Sequence, residues 1–346
     1  MNMSKRCHAM PFWLVLLLPL WLLSGCARAQ VQMPGPGEVE PELGEDHFIA
    51  ADAYAMPLTR WLPEGEIKQV VLALHGFNDF RQSHLPLARK LSARGSAIYA
   101  YDQRGFGATA QRGIWPGQER LVEDARTALA LLSQRYPDKP LYLLGESMGA
   151  AVSILTTTET EAALSADALT LDGMILMAPA VWAREEQPWY QRLGLWLGIR
   201  VAPGMKVDSD WVAVEPTDDP DWAEYWDEHP LVLQRSRIDA LEGISLLMSD
   251  ALAASEKLNI NSLVLYGGKD EVVPKEAICA LVKRLPEPDD VPWRMAYYPE
   301  GWHFLARDSR ADETLEDITA WLEDHDGALP SERMIAPADW RQAHCE

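Results

Sequence analysis

Gly145-Glu146-Ser147-Met148-Gly149 lies between an apolar run at 141–144 and a stretch of small residues that begins Ala150-Ala151. A G-x-S-x-G set between a strand and a helix demands a tight turn. Its glycines relieve backbone clashes, and the serine is thrust to the carboxyl edge of the sheet, at a helix N-terminus. A chain organised around such a turn is an α/β protein. The flanking sequence agrees. Short apolar, β-branched runs recur at 69–74, 97–101, 174–177, 262–266 and 293–297, and helical spacing separates them at 82–94, 118–136 and 314–323. In 118–136, Leu121, Val122, Ala125, Ala128, Leu129 and Leu132 fall on one side. Continuously apolar strands alternating with helices predict a mostly parallel sheet with helices on both faces.

The alternation fails from Val181 to Glu256, where Trp182, Trp189, Trp196, Trp211, Trp222 and Trp226 cluster without a convincing strand. A long insertion in a repeating α/β pattern predicts a loop-borne helical cap. The expected organisation is a core in two parts, 46–180 and 257–325, split by a cap at 181–256 and followed by a tail at 326–346.

The first residues form an address. Lys5 and Arg6 precede an apolar run from Met10 to Leu23. That run is shorter than the roughly 18 residues a membrane-spanning helix needs and fits the core of a secretory signal. Leu23-Ser24-Gly25-Cys26 then resembles a bacterial lipobox, with Cys26 as the lipidated residue. The expectation is a signal peptide at 1–25, a lipid-anchored tether at 26–45 rich in Pro, Gly and Glu, and an outer-membrane lipoprotein facing the periplasm. Ala27-Arg28-Ala29 offers the alternative of ordinary A-x-A cleavage and a secreted or periplasmic product. The formal net charge of −21 argues against nucleic acid as a partner, since that binding rests on clustered Lys and Arg, and favours a lipid anchor over charge attraction as the hold on a membrane. Cys279 and Cys345 either pair in an oxidising compartment or leave Cys279 a small buried hydrophobe.

A serine hydroxyl needs a base, and the base needs an orienting acid. Asp270 follows the strand-like 262–266, and His303 lies in a loop after the next strand. The order Ser147, Asp270, His303 is that of α/β-hydrolases; Glu271 is the rival for the acid. An oxyanion requires two backbone N–H donors. Met148, directly after the serine, and Phe77, in His75-Gly76-Phe77-Asn78, are the candidates. His75 is expected to tie loops together through its ring.

LALHGFND (72–79), YDQRGFGAT (101–109), LLGESMGA (143–150), LMAPAV (176–181), VLYGGKDEVVP (264–274) and YPEGWHF (298–304) together resemble the α/β-hydrolase superfamily, in its monoacylglycerol lipase and lysophospholipase-like branch. The resemblance implies Ser147 as nucleophile, Asp270 as orienting acid, His303 as base, and no metal or organic cofactor. This chain departs from the branch at Glu146, where the branch often carries His. A lipid-like acyl ester is the expected substrate. An aminopeptidase of the same fold is the alternative, needing cap carboxylates such as Glu185, Glu186, Glu224, Asp227 or Glu228 for a peptide amine. A non-catalytic envelope-binding lipoprotein is the remote third reading.

Overall fold

A computed structural model describes residues 28–158, 171–208, 214–288 and 291–345. Its strands, in chain order, are β1 (Glu42–Leu43), β2 (His47–Ile49), β3 (Ala55–Trp61), β4 (Gln69–Leu74), β5 (Ser96–Tyr101), β6 (Leu141–Glu146), β7 (Gly173–Met177), β8 (Lys206–Asp208), β9 (Arg235–Arg237), β10 (Ser262–Gly267), β11 (Trp293–Tyr298) and β12 (Met334–Ile335). Ten of them form one sheet in the order β1-β2-β3-β5-β4-β6-β7-β10-β11-β12. The centre, from β5 to β11, is parallel, and the strands beyond it on both sides pair antiparallel. β8 and β9 make a separate antiparallel pair.

The helices are α1 (Leu85–Ser92), α2 (Gln118–Arg135), α3 (Met148–Thr158), α4 (Trp189–Val201), α5 (Pro220–Glu228), α6 (Ile238–Ala254), α7 (Lys275–Arg284), α8 (Ala311–Glu323) and α9 (Pro337–His344). Successive strand residues point to opposite faces, so Val70, Leu72 and Leu74 enter one core layer, and Val71 and Ala73 the other. The first layer is closed by α2, α3, α6 and α7, and the second by α1 and α8. This is the α/β architecture that the strand runs predict. The chain leaves β4 to one side through α1 and β5, then returns past it to β6. The switch in winding falls between β4 and β6, where α/β sheets open a crevice at their carboxyl ends.

Two stretches differ from the sequence expectation, and a third, the tail, takes a place that the sequence leaves open. Residues 28–45 are not a free tether. Gln32 is buried, its N–H donating to the Trp115 carbonyl at 2.9 Å and its side-chain amide to Tyr54 Oη at 3.1 Å. Leu43 is buried in β1, and Gln30 N–H reaches Asp239 Oδ2 at 3.0 Å. Pro- and Gly-rich composition reads as solvated, but a few long-range bonds hold the chain down. Second, α6, inside the expected cap, packs against α3 and buries Leu247, Ala251 and Leu252. The chain thus rejoins the body near Ile238, well before 256. Third, the tail after 326 folds back. β12 adds to β11, Trp340 of α9 is fully buried against Tyr266 and Tyr297, and Cys345 is disulfide-bonded to Cys279. That bond spans 66 residues of chain, so closing the loop removes on the order of 4 kcal/mol of unfolded-state entropy in the chain-entropy picture. Cys26 and the apolar N-terminal run lie outside the described residues.

Candidate active site

Ser147 follows β6 directly, at φ +54°, a left-handed conformation uncommon for a residue with a Cβ. The surroundings fix it there. Its N–H donates to the Met177 carbonyl at 2.9 Å, and its own carbonyl accepts from Ala150 and Ala180 N–H at 3.0 and 3.1 Å. The flanking glycines are required by close approach. A Cβ on Gly149 would sit 2.1 Å from the Leu74 carbonyl oxygen, and one on Gly145 would sit 2.4 Å from the Gly149 backbone. With no side chain at either point, α3 can start hard against β4 and leave Ser147 on the cavity floor, 8% exposed.

Asp270 follows β10 and His303 follows β11, so both reach the same sheet edge as Ser147. His303 Nδ1 and Asp270 Oδ2 are 2.8 Å apart. A carboxylate only accepts, so Nδ1 carries the proton and Nε2 keeps its lone pair. The other Asp270 oxygen accepts from Val272 and Val273 N–H, each at 2.9 Å, which holds the carboxylate in plane with its task. Glu271 points away and accepts from Glu215 N–H at 3.2 Å. Both His303 and Asp270 are buried. Burial pulls the imidazole down, but the charge and hydrogen bond of Asp270, with Glu146 beyond, more than offset it. The net displacement is upward from the ordinary 6.5.

The loop after β4 is shaped by His75. Gln103 N–H donates to His75 Nε2 at 2.9 Å, so Nδ1–H is left to donate to the Gly76 carbonyl at 2.8 Å. Asp79 N–H adds a second, longer bond to that carbonyl at 3.3 Å. In a trans peptide the carbonyl and the following N–H point opposite ways. Fixing the Gly76 carbonyl on one side therefore turns the Phe77 N–H to the other. Burial lowers the His75 pKa and keeps the ring neutral, as this two-role tautomer requires. The site of a Gly76 Cβ lies 3.4 Å from Ser147 Cβ, so this loop directly adjoins the serine. Met148, the other candidate donor, opens α3. Two candidate backbone donors and a helix N-terminus beside a serine and an imidazole suit attack on a carbonyl, with charge gathering on its oxygen.

A cavity of about 750 Å³ stands over Ser147 and His303. Its far wall is the cap, through Val214, Pro216, Pro220, Ala223 and Trp226, and its rim carries Glu215, Asp218, Asp219 and Asp227. Of the five cap carboxylates expected as amine holders, only Asp227 lines this cavity. Glu224 and Glu228 border a separate surface depression, and Glu185 and Glu186 lie on a short turn before α4. The sequence reading missed Arg307, which is buried beneath the site and bonded to Asp79 and Glu146.

A family model described as serine aminopeptidase, S33, matches residues 65–310, which include every residue just placed at the site. The chain belongs to the S33 family. It is accordingly a serine hydrolase with the α/β-hydrolase fold. Among S33-like relatives, a monoacylglycerol lipase of Mycolicibacterium smegmatis is 28% identical over 288 residues, covering 81% of this chain and 97% of that one. A monoglyceride lipase of Mus musculus is 25% identical over 285 residues, covering 80% and 89%. Two solved structures share the fold. A monoacylglycerol lipase of Paleococcus ferrophilus superposes with a TM-score of 0.62 at 20% identity, covering 78% of this chain and 99% of that one. A soluble variant of the Saccharomyces cerevisiae monoglyceride lipase, bound to a substrate analogue, gives 0.66 at 16% identity, with 86% and 97% covered.

Proposed function

We propose that this S33-family protein hydrolyses the carboxylic ester of a monoacylglycerol- or lysophospholipid-like substrate through an acyl-enzyme. The observation that carries the reading is the Asp270–His303 pair, whose imidazole lines one cap-covered cavity together with the strained Ser147. In the first half-reaction Ser147 Oγ attacks the ester carbonyl while His303 Nε2 takes its proton. The oxyanion is held by the Phe77 and Met148 N–H groups. His303 then hands the proton to the departing alcohol, leaving the acyl group on Ser147. Water repeats the attack with His303 again as base, and fatty acid and free serine result.

Three features support a lipid-like ester. The relatives over most of the chain are named as monoacylglycerol and monoglyceride lipases. The cap supplies Val214, Pro216, Pro220, Ala223 and Trp226 as apolar lining, and the four carboxylates beside them favour a neutral glycerol headgroup over an anionic phosphate one. Helix α4 buries none of its residues and exposes Trp189, Tyr190, Leu193, Trp196, Leu197 and Val201, spaced three to four apart. Such a face suits a lipid surface and does not serve to pack the cap onto the body. We extend the proposal to location. Export, lipidation of Cys26 and retention at the outer membrane facing the periplasm would hold the enzyme beside such substrates, with A-x-A cleavage and a free periplasmic enzyme as the alternative. The aminopeptidase reading retains support from Asp227 and Glu215 at the rim. A panel of 1-monoacylglycerol, zwitterionic lysophospholipid and aminoacyl-naphthylamide substrates decides between these. Turnover is expected fastest on the monoacylglycerol; preferential cleavage of the amide would overturn the ester reading.

The raised His303 pKa fixes the sign of the pH dependence. Only neutral His303 accepts the serine proton, so activity is lost as pH falls through its pKa. The acid limb of kcat/KM reports that group in the free enzyme and is expected above 6.5. Rates on a p-nitrophenyl ester from about pH 5 to 9 measure it, and a limb below 6.5 would contradict the electrostatics described here.

A further inference from the structure

One buried cation, Arg307, is bonded both to the strand that ends before Ser147 and to the loop that carries Phe77. Arg307 is 2% exposed. Its Nη2 donates to Glu146 Oε2 at 2.6 Å, and its Nη1 to Asp79 Oδ2 at 3.1 Å. Glu146 is the last residue of β6, immediately before Ser147. Asp79 closes the loop that carries Phe77, and its other oxygen accepts from Phe80 N–H at 2.9 Å. Arg307 itself sits four residues after His303. Its guanidinium lies 3.8 Å from the centre of the Phe304 ring, which in turn packs on Trp226 of the cap. Its carbonyl accepts from Thr217 Oγ1 of the cap at 2.8 Å.

The charges do not cancel. One guanidinium faces two carboxylates, and Glu146 Oε1 is buried with no hydrogen-bond partner among the described residues. A buried carboxylate oxygen left unpaired carries a desolvation cost; kept directly behind a nucleophile, it asks for a use. Of the other ionisable groups that face this cluster, His84 is pushed down to about 3 by burial and by Arg307, burial lowers His229, and burial raises Tyr225, so none adds a balancing charge. His75 is neutral as well.

We propose that Arg307, Glu146 and Asp79 form a positioning clamp, whose fork holds the serine strand, the oxyanion loop and the His303 loop in register, and whose Glu146 carboxylate and Arg307 guanidinium set opposed charges within reach of His303. The clamp rests on the reading of Ser147 and His303 given above. The two Nη groups bridge two separate carboxylates, which makes Arg the fitting residue, since a lysine ammonium lacks the planar fork. Among the groups that act on His303, Asp270 and Glu146 favour the charged ring and Arg307 opposes it. Asp308, which accepts the Trp302 N–H at 3.0 Å, and Glu300, paired with Lys269 at 2.6 Å, are the remaining carboxylates on that loop and stay unchanged in the test.

The test is the pH profile of kcat/KM on p-nitrophenyl butyrate for Glu146→Gln and Arg307→Met, with folding checked by circular dichroism. Removing the carboxylate charge is expected to move the acid limb down by about half a pH unit, and removing the guanidinium to move it up by a similar amount. Loosened packing alone would not shift two members of one ion pair in opposite directions. Shifts of the same sign, or no shift in either variant, overturn the clamp. If Arg307→Met does not fold, Glu146→Gln alone decides: a limb that moves down supports the proposal and an unmoved limb defeats it. Fluorophosphonate labelling of Ser147 in the wild type and in both variants checks the underlying catalytic reading separately. Lost labelling in the wild type would sink that reading, whereas normal labelling with an unmoved limb would sink only the clamp.

Discussion

Ser147→Ala is expected to reduce ester turnover by at least about 10⁴-fold, with the fold intact. Ser147 sits at φ +54° with its backbone bonded to Met177, Ala150 and Ala180. None of those bonds uses Oγ, so removing the hydroxyl deletes the proposed nucleophile and leaves the turn. The effect should fall on kcat, because a small ester still enters the cavity and meets the Phe77 and Met148 donors. His303→Ala is expected to match it within about tenfold, and the double variant should lose little more. Residues that act as a unit fail together rather than additively. Steady-state rates of the two single variants and the double variant on p-nitrophenyl butyrate measure this. Multiplying losses would mean that serine and histidine act independently.

Asp270→Asn carries the second large effect, about 10⁴-fold in kcat. The cause is a proton in the wrong place. The wild-type carboxylate accepts from Val272 N–H, Val273 N–H and His303 Nδ1–H. An asparagine satisfies the two backbone donors with its carbonyl oxygen, which turns its NH₂ toward His303. Nδ1 must then accept, the proton moves to Nε2, and that nitrogen can no longer act as the proposed base. Volume and burial barely change, so thermal stability should stay close to wild type while activity collapses. A variant that keeps more than about a tenth of wild-type kcat would show that Asp270 does not set the tautomer.

That Ser147, Asp270 and His303 meet at one sheet edge was legible in the sequence for a physical reason. Strands buried on both faces read as unbroken apolar runs, and the parallel sheet sends all their carboxyl ends to one edge. A serine, an aspartate and a histidine each placed just past such a run are therefore neighbours, whatever lies between them. Asp270 was separable from Glu271 because the loop after β10 turns one side chain inward and the next toward Glu215. Other parts were silent. β1, β2 and β12 are two or three residues long and carry no pattern. β3 contains Pro57, which argues against an interior strand, yet it bridges β2 and β5. Residues 28–45 have the composition of a linker and are held by a few specific bonds. Arg307 meets Asp79 and Glu146 across 228 and 161 residues of sequence. A buried arginine has no local signature, although the unusual Glu146 marked a change of charge at that spot. Whether Cys279 and Cys345 pair was equally open in one dimension, and the packing of α9 beside α7 brings them together.

The central claim is that Ser147 is the acyl-accepting nucleophile. The most direct measurement is intact-mass and peptide mass spectrometry of the full-length protein after reaction with a fluorophosphonate. The account predicts one adduct per chain, on the peptide that contains Ser147, and none in Ser147→Ala. An adduct on another residue, or an unmodified protein that still hydrolyses esters, would contradict it.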